Sequence, residues 1–122
     1  KDEDLIADLI IDTNLEPQEI TPHFLEVFYR LEPFGRDNPD PIFLMTDVII
    51  SQIRIVGSNG KHVKFSVQKN NRYFDVISFN NAEELKFLTS NIKVDIVFHL
   101  KINEWGGKKS LEFELLGIKF KK

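Results

Sequence analysis

The chain has 122 residues, enough for one domain with a hydrophobic core and too few for two. Hydrophobic residues make up 42% and charged residues 29%, with a net charge of -3, so neither general disorder nor a low-complexity fibre is expected. There is no basic leader and no apolar run of about eighteen residues, a pattern that favours a cytoplasmic protein without a membrane partner. The absence of Cys excludes disulfides, thiolate metal sites and cysteine nucleophiles.

Charge is distributed unevenly along the chain. Residues 1–47 hold twelve acids and three bases, whereas residues 48–122 hold thirteen bases and seven acids. We therefore divide the chain into an acidic connector arm, residues 1–41, and a mildly basic module, residues 42–122. The basic residues of the module could meet phosphates or could be ordinary solvent-facing strand positions, and charge by itself favours the second interpretation.

The arm carries the signals of one helix. Thr21 is a good N-cap and Pro22 suits the first helical position, so a helix should begin there and end at Leu31 or Glu32. A short apolar element of undetermined type, residues 5–11, precedes it.

A proline-rich stretch, residues 33–41, follows the helix and should form a stiff elbow before the module. Within it, Phe34 is expected to be a core plug between arm and module rather than a functional wedge.

Three predicted strands open the module. Residues 43–56 are rich in β-branched residues and long for one strand, which indicates a strongly bent or bulged strand. Residues 61–69 alternate between apolar and polar, as expected of a half-buried antiparallel strand. Residues 72–79 are apolar on both faces, as expected of a central strand. Tight turns at residues 57–60 and 70–71 should connect the three.

The rest of the module continues the β pattern after one interruption. A helix capped by Asn80 or Asn81 should come first, with its leucines facing inward. A regularly alternating strand, residues 94–103, a hairpin loop, residues 104–109, and a last strand around Phe113 should follow. The chain is thus predicted to be mainly β: a five-stranded OB-fold barrel with one helix between strands 3 and 4, preceded by a short α-helical arm.

OB folds bind oligonucleotides on the face of their second and third strands, between the loops that join strands one to two and four to five. In this sequence the face carries His62 and Lys64, and the loops are residues 57–60 and 104–109. The topology indicates a place for a ligand, but a fold does not by itself establish a function.

Several motifs resemble those of one protein family. The run from Pro33 to Phe43 is similar to the signature that precedes the C-terminal OB domain of the RecJ single-strand-specific DNA exonucleases, which belong to the DHH phosphoesterase superfamily. Residues 57–64, 77–79 and 103–107 resemble three later motifs of that family, in the same order and at similar spacing.

This resemblance implies a 5′ to 3′ exonuclease of DNA repair and recombination, whose Mn²⁺ or Mg²⁺ is held by Asp and His motifs of an N-terminal catalytic domain. The present sequence contains no Asp-His-His motif, and His23, His62 and His99 lack the spacing of metal ligands. We therefore expect a C-terminal fragment with no catalytic residue, no metal site and no cofactor, which is not an enzyme by itself.

The residues expected to bind nucleic acid are cationic or aromatic side chains of the presumed face and its loops. Trp105 could stack on a base while Lys108 and Lys109 meet phosphates, or it could pack on the barrel rim, the commoner role of a large aromatic. The remaining candidates either contact the nucleic acid or are solvated strand positions: Arg54, His62, Lys64, Arg72 and Lys101. Glu112 and Glu114 exclude the face of the fifth strand, because they repel phosphates.

The leading hypothesis is a module that binds single-stranded DNA by electrostatics and stacking and delivers it to the catalytic domain of the same polypeptide. The alternative is a protein-interaction module, in which a barrel strand or an apolar patch docks the catalytic core or another DNA-repair protein. Salt dependence separates the two hypotheses, because phosphate contacts weaken steeply with salt and apolar docking does not.

Overall fold

Six strands form one sheet in the computed structural model, which describes residues 11–31 and 39–121. In chain order the elements are β1 (Thr13–Asn14), a 3-10 helix (Pro17–Glu19), α1 (Pro22–Leu31), β2 (Phe43–Val56), β3 (His62–Lys69), β4 (Arg72–Ser78), β5 (Lys93–Trp105) and β6 (Lys108–Phe120). Most of the apolar element predicted over residues 5–11, the elbow up to residue 38, and Phe34 lie outside the described residues.

The strand order is β1-β2-β3-β4-β6-β5, and β5 also pairs with β2. β4 and β6 run parallel, whereas the other neighbours within the barrel are antiparallel. Strands β2 to β6 therefore close a five-stranded barrel with the connections of an OB fold, which confirms the predicted fold class. The two-residue strand β1 pairs in parallel with the beginning of β2.

Strand β2 is bent, as predicted, because it has two partners. Phe43–Ile49 pair with β5 and Ile49–Val56 pair with β3, and the register shifts once within each half. Asp47 (φ 57°) and Gln52 (φ 56°) lie at these shifts in the left-handed region, which non-glycine residues rarely adopt. The two bulges allow one strand to wrap around the barrel.

A buried carboxylate supports the first bulge. Asp95 of β5 is 9% exposed, and its Oδ1 accepts a hydrogen bond from the Asp47 N–H (2.9 Å). Its Oδ2 lies 3.0 Å from Lys121 Nζ, and this hydrogen bond is the main reason why the pKa of Lys121 is raised. Asp95 alternates with the core residues Val94 and Ile96 yet is buried, and the bulge amide and the ammonium group compensate the burial of its charge.

The predicted turns form with the expected backbone chemistry. The turn of residues 57–60 is closed by a 3.1 Å hydrogen bond from its last N–H to its first carbonyl oxygen. Asn70 and Asn71 both have positive φ (53° and 63°), as a two-residue hairpin requires. The hairpin loop predicted over residues 104–109 is shorter than expected and consists of residues 106–107, because β5 and β6 pair up to its edge.

The helix predicted between the third and fourth barrel strands is not formed as a regular helix. Residues 79–92 fold as successive turns, and among their described hydrogen bonds only that of the Leu85 N–H is of the helical i to i−4 type (2.9 Å). Asn80 and Asn91 have left-handed φ values of 58° and 67°, which a right-handed helix cannot include. Leu85 and Leu88 are nevertheless buried in the core, as predicted.

Strand β4 is less buried than its composition predicts. Tyr73 is 64% exposed and Phe79, just after the strand, is 46% exposed, although both are apolar. The prediction of a central strand is confirmed. β4 does lie between β3 and β6, but the outer side of this part of the barrel faces solvent.

Phenylalanine rings connect the arm with the core of the barrel. Phe28 of α1 is 4% exposed, and its ring centroid lies 6.2 Å from that of Phe43 in β2. The row of rings continues to Phe98 (6.0 Å), Phe113 (4.0 Å) and Phe74 (5.0 Å). Such stacked or tilted ring pairs add to the stabilisation that apolar burial provides.

The rest of the described arm also packs on the barrel. Helix α1 begins as predicted, because the Phe24 N–H donates to the Thr21 Oγ1 (3.0 Å), and it ends at Leu31 as predicted. Leu15 and Ile20, which are 3% and 2% exposed, belong to the same core cluster as the barrel residues.

Arg72, the first residue of β4, fastens the arm to the barrel. Its Nη1 donates to the carbonyl oxygens of Pro17 and of Ile20 (2.9 Å). Its guanidinium carbon lies 5.0 Å from the centroid of the Phe74 ring, within the range of a cation–π contact. These contacts give this side chain a structural role, and its contact with nucleic acid stays a prediction.

We predict that Arg72→Met lowers the free energy of unfolding by about 1–3 kcal/mol, because a charged donor to two carbonyls is lost. Urea unfolding followed by circular dichroism measures the change. Arg54→Met is the matched control, because Arg54 is exposed and donates only a 3.3 Å hydrogen bond, to Gln52 O, among the described residues. Equal midpoints for the two variants would contradict the structural role of Arg72.

Candidate nucleic-acid interface

The outer surface of β3 and β4 carries the side chains that alternate with core residues. We call it the β3–β4 face and define it by His62, Lys64, Ser66, Gln68, Tyr73, Asp75 and Ile77. Beside β4, the parallel strand β6 brings Glu112 opposite Asp75 and Glu114 opposite Ile77. Basic groups therefore lie on the β3 side of this surface and carboxylates on its β6 side.

Lys64 is held by one of these carboxylates. Its Nζ lies 3.3 Å from Glu112 Oε2, and the two side chains are 33% and 20% exposed. Lys101 of β5 stands opposite Glu112 in the β5–β6 register and forms its own ion pair with Asp40 (2.7 Å). A phosphate that approached Lys64 or Lys101 would therefore have to compete with a carboxylate of the same chain.

His62 is anchored from three sides. Its Nδ1 accepts a hydrogen bond from the Asn80 N–H (2.9 Å). Its ring meets the Phe79 ring edge-on at 5.2 Å. A Cβ on Gly57, which has a φ of 96°, would lie 2.7 Å from the His62 Cδ2, so only glycine fits there without displacing the ring. These contacts make His62 a link between β3, the turn that precedes it and the segment that follows β4.

Arg54 and Arg72, two more of the predicted residues, lie in different surroundings. Arg54 stands opposite Lys64 in the β2–β3 register, and no carboxylate of residues 11–31 or 39–121 forms an ion pair with it. Arg72 lies at the start of β4 and donates to the arm carbonyls described above. Of the two, Arg54 is available to a ligand.

The tip of the β5–β6 hairpin brings the three other predicted residues together. Trp105 is 87% exposed and stands opposite Lys108 in the last strand pair before the glycine turn. Lys108 is exposed, and no described carboxylate pairs with it. Lys109 Nζ lies 4.4 Å from the centroid of the Tyr29 ring. The rim-packing alternative for Trp105 does not fit an indole with this exposure.

Sequence reasoning missed two exposed aromatic side chains near the β3–β4 face. Tyr73 stands opposite Gln68, and Phe79 contacts His62. Their apolar character assigned them to the core, although strict alternation with Phe74 would have placed Tyr73 outside.

The described residues offer no metal centre. Within the described parts of the chain, no group of three or more His, Cys, Asp or Glu side chains could hold a metal ion. The three histidines occupy separate positions, and His99 Nδ1 is bonded to the carbonyl oxygen of Pro41 (2.9 Å). The residues present therefore do not fit the Mn²⁺ or Mg²⁺ that the sequence resemblance associates with a catalytic domain. No helix in residues 11–31 and 39–121 has the length and apolar character needed to cross a membrane.

Comparison with known proteins identifies relatives of this barrel. The RecJ single-stranded-DNA-specific exonuclease of Bacillus subtilis (strain 168) is 29% identical over 108 residues, which cover 88% of this chain and 14% of that protein. The crystal structure of RecJ in complex with Mn²⁺ from Thermus thermophilus superposes with a TM-score of 0.66 at 21% identity, over 93% of this chain and 16% of that one. The chain thus spans about one seventh of the curated relative.

A smaller protein shares the fold as well. The second single-stranded-DNA-binding protein (SSBb) of Mycobacterium smegmatis superposes with a TM-score of 0.55 at 24% identity, over 66% of this chain and 84% of that one. These structural similarities establish the OB fold. The family profile described as the RecJ OB domain matches residues 11–116, which include α1 and the five barrel strands up to most of β6. The chain therefore belongs to the RecJ OB domain family.

Proposed function

We propose that this chain is a single-stranded-DNA-binding module of a RecJ-type 5′ to 3′ exonuclease of DNA repair and recombination. The observation that carries the proposal lies at the tip of the β5–β6 hairpin. There the indole of Trp105 is largely exposed and stands opposite Lys108. The ammonium group of Lys108 has no carboxylate partner among the described residues. The name of the Bacillus subtilis relative, a single-stranded-DNA-specific exonuclease, and the name of the Mycobacterium smegmatis protein support single-stranded DNA as the ligand.

Binding would combine stacking with phosphate contacts. The indole of Trp105 offers a flat surface to any base, so the contact tolerates all sequences. Lys108 and Arg54 supply positive charge without a competing carboxylate in the described parts of the chain, and Lys64 can supply more if it leaves Glu112. Of the other predicted cations, Arg72 donates hydrogen bonds to the arm, and Lys101 forms an ion pair with Asp40 of the elbow.

The cleavage reaction is assigned to another part of the same polypeptide. Mn²⁺ or Mg²⁺ would be bound there, because the described residues of this chain contain no group of ligands for it. This chain would hold the strand and present it to that catalytic domain, which is its second partner. Other DNA-repair proteins could dock on the same barrel, and a chain without affinity for DNA would favour that alternative.

We predict that a fluorescein-labelled oligothymidine binds the chain and that binding quenches the fluorescence of Trp105, the single Trp. With about three phosphates neutralised, the logarithm of the affinity should fall with the logarithm of the salt concentration with a slope of about -2. The affinity then falls about tenfold to twentyfold between roughly 50 and 200 mM salt. Anisotropy of the label and Trp105 emission are recorded in the same titration.

Lys108→Ala should weaken binding and reduce this slope by about 0.7. The matched control is Lys119→Ala, because Lys119 is also an exposed lysine of β6, eleven residues or about 35 Å further along the strand. Trp105→Ala should cost about 1–3 kcal/mol of binding free energy without lowering stability. Flat anisotropy at low salt, or equal effects of the two lysine variants, would contradict the proposal.

A separate prediction concerns the competing carboxylate. Glu112→Gln releases Lys64 and removes a negative charge next to the β3–β4 face, so DNA affinity should rise about twofold to fivefold. Glu83→Gln is the matched control. It also breaks one ion pair with a lysine, Lys86 at 2.7 Å, but Glu83 belongs to the chain segment that connects β4 to β5 and not to the β3–β4 face. The hydrogen bond from Lys86 lowers the pKa of Glu83, so this substitution likewise removes a full charge. An affinity gain no larger than that of Glu83→Gln would show that Glu112 does not compete with DNA.

A further inference from the structure

The β5–β6 hairpin extends beyond the strands that support it. β5 pairs with β2 only up to Phe98, and β6 pairs with β4 only over residues 112–114. From residue 103 to residue 110 the two strands are paired only with each other among the described residues. A two-stranded ribbon is marginally stable in water, so the direction of its tip depends on contacts from outside the sheet.

One side chain of the arm supplies such a contact to both strands. Tyr29 of α1 donates a hydrogen bond from its hydroxyl to Glu104 Oε1 (2.8 Å), and its ring faces the ammonium group of Lys109 at 4.4 Å. Glu104 and Lys109 are directly opposite each other in the β5–β6 register. They are adjacent to the Trp105–Lys108 pair, so Tyr29 holds the ribbon one residue from the proposed DNA contact.

A groove between α1 and the hairpin makes the orientation of the hairpin depend on this polar contact. Between α1 and the hairpin lies a groove of about 330 Å³, lined by Leu25 on the helix and by Ile102 and Leu111 on the strands, among others. These three side chains also pack against the core, but the groove between them leaves the apolar contact between helix and hairpin incomplete. The hydroxyl and the ring face of Tyr29 add a polar bridge from helix to ribbon.

We propose that Tyr29 is a positioning residue for nucleic-acid binding: it orients the hairpin tip so that Trp105 and Lys108 are presented together. This inference rests on the proposed function and extends it to the arm. Tyr29 also directs the charge of Lys109 towards α1, so Lys109 supports the hairpin rather than a phosphate. A tip that is ordered before binding loses less conformational freedom when DNA binds, and this increases affinity.

The test uses the 122-residue chain with Trp105 as its only indole. Time-resolved fluorescence anisotropy of Trp105 reports the mobility of the tip without DNA, and titration with labelled oligothymidine reports affinity. Tyr29→Leu should lower the residual anisotropy of Trp105 and raise the Kd about threefold to tenfold. Tyr29→Phe, which keeps the ring for Lys109 and loses only the hydrogen bond, should lie between Tyr29→Leu and the unaltered chain.

The matched control is His23→Ala. His23 is exposed on a different face of α1 from Tyr29 and has no described partner on the hairpin. Glu104→Gln retains an acceptor for the Tyr29 hydroxyl and should leave the Trp105 anisotropy without DNA unchanged, whereas Glu104→Ala should lower it as Tyr29→Phe does. Thermal unfolding identifies any variant that loses the fold. If a Tyr29 variant does so, the comparison of Glu104→Gln with Glu104→Ala tests the positioning role. Unchanged Trp105 anisotropy in both Tyr29→Leu and Glu104→Ala would overturn the positioning role. If the unaltered chain fails to bind oligothymidine, the proposed function fails, and the anisotropy without DNA still decides whether Tyr29 orients the tip.

Discussion

The bend of β2 determines the geometry of the whole barrel. One strand hydrogen-bonds to β5 with its first half and to β3 with its second, and this is possible only because Asp47 and Gln52 adopt left-handed conformations at two bulges. Each bulge has a side-chain support: Asp95 accepts the Asp47 N–H, and Ser66 donates to Gln52 Oε1 (3.2 Å). The closed barrel then leaves the outer side of β3 and β4 to solvent, where a ligand can reach it.

Much of the positive charge of the module is used inside the molecule. Lys64, Lys69, Lys101 and Lys121 each form an ion pair, with Glu112, Glu16, Asp40 and Asp95 respectively. One acid of the arm and one of the elbow, Glu16 and Asp40, are thus partners of barrel lysines. The excess of bases in the second part of the chain is therefore a poor measure of the charge available to phosphates.

Local patterns predicted most of the fold. Alternating residues identified the barrel strands, and Asn70, Asn71 and the glycines identified the turns, because these signals depend on neighbours in sequence. The segment after β4 was mispredicted because Asn80 suits both a helix cap and a left-handed turn, and the tertiary structure uses the second.

The candidate site was predictable only in part. The sequence identified Trp105 and Lys108 through their glycine-rich hairpin. It could not show that Arg72 donates hydrogen bonds to carbonyl oxygens more than fifty residues earlier in the chain. Nor could it show that Lys64 forms an ion pair with Glu112 across β4. Residues so far apart in sequence become partners only when the barrel closes. Tyr29 carried no signal either, since its partners lie in the hairpin, about 75 residues away.

The burial of Phe28 between α1 and β2 limits how this domain can be exchanged among proteins. A barrel that began at residue 42 would leave Phe43 without the Phe28 ring and would open the core where Leu15 and Ile20 are now inserted. Such an exposed apolar surface favours association between molecules. The smallest portion that recombination could transplant intact therefore includes the stretch from Leu15 to Phe28, which the family match also covers. Swapping barrels between relatives while keeping their own arms would succeed only where the residue that replaces Phe28 still fills the same space.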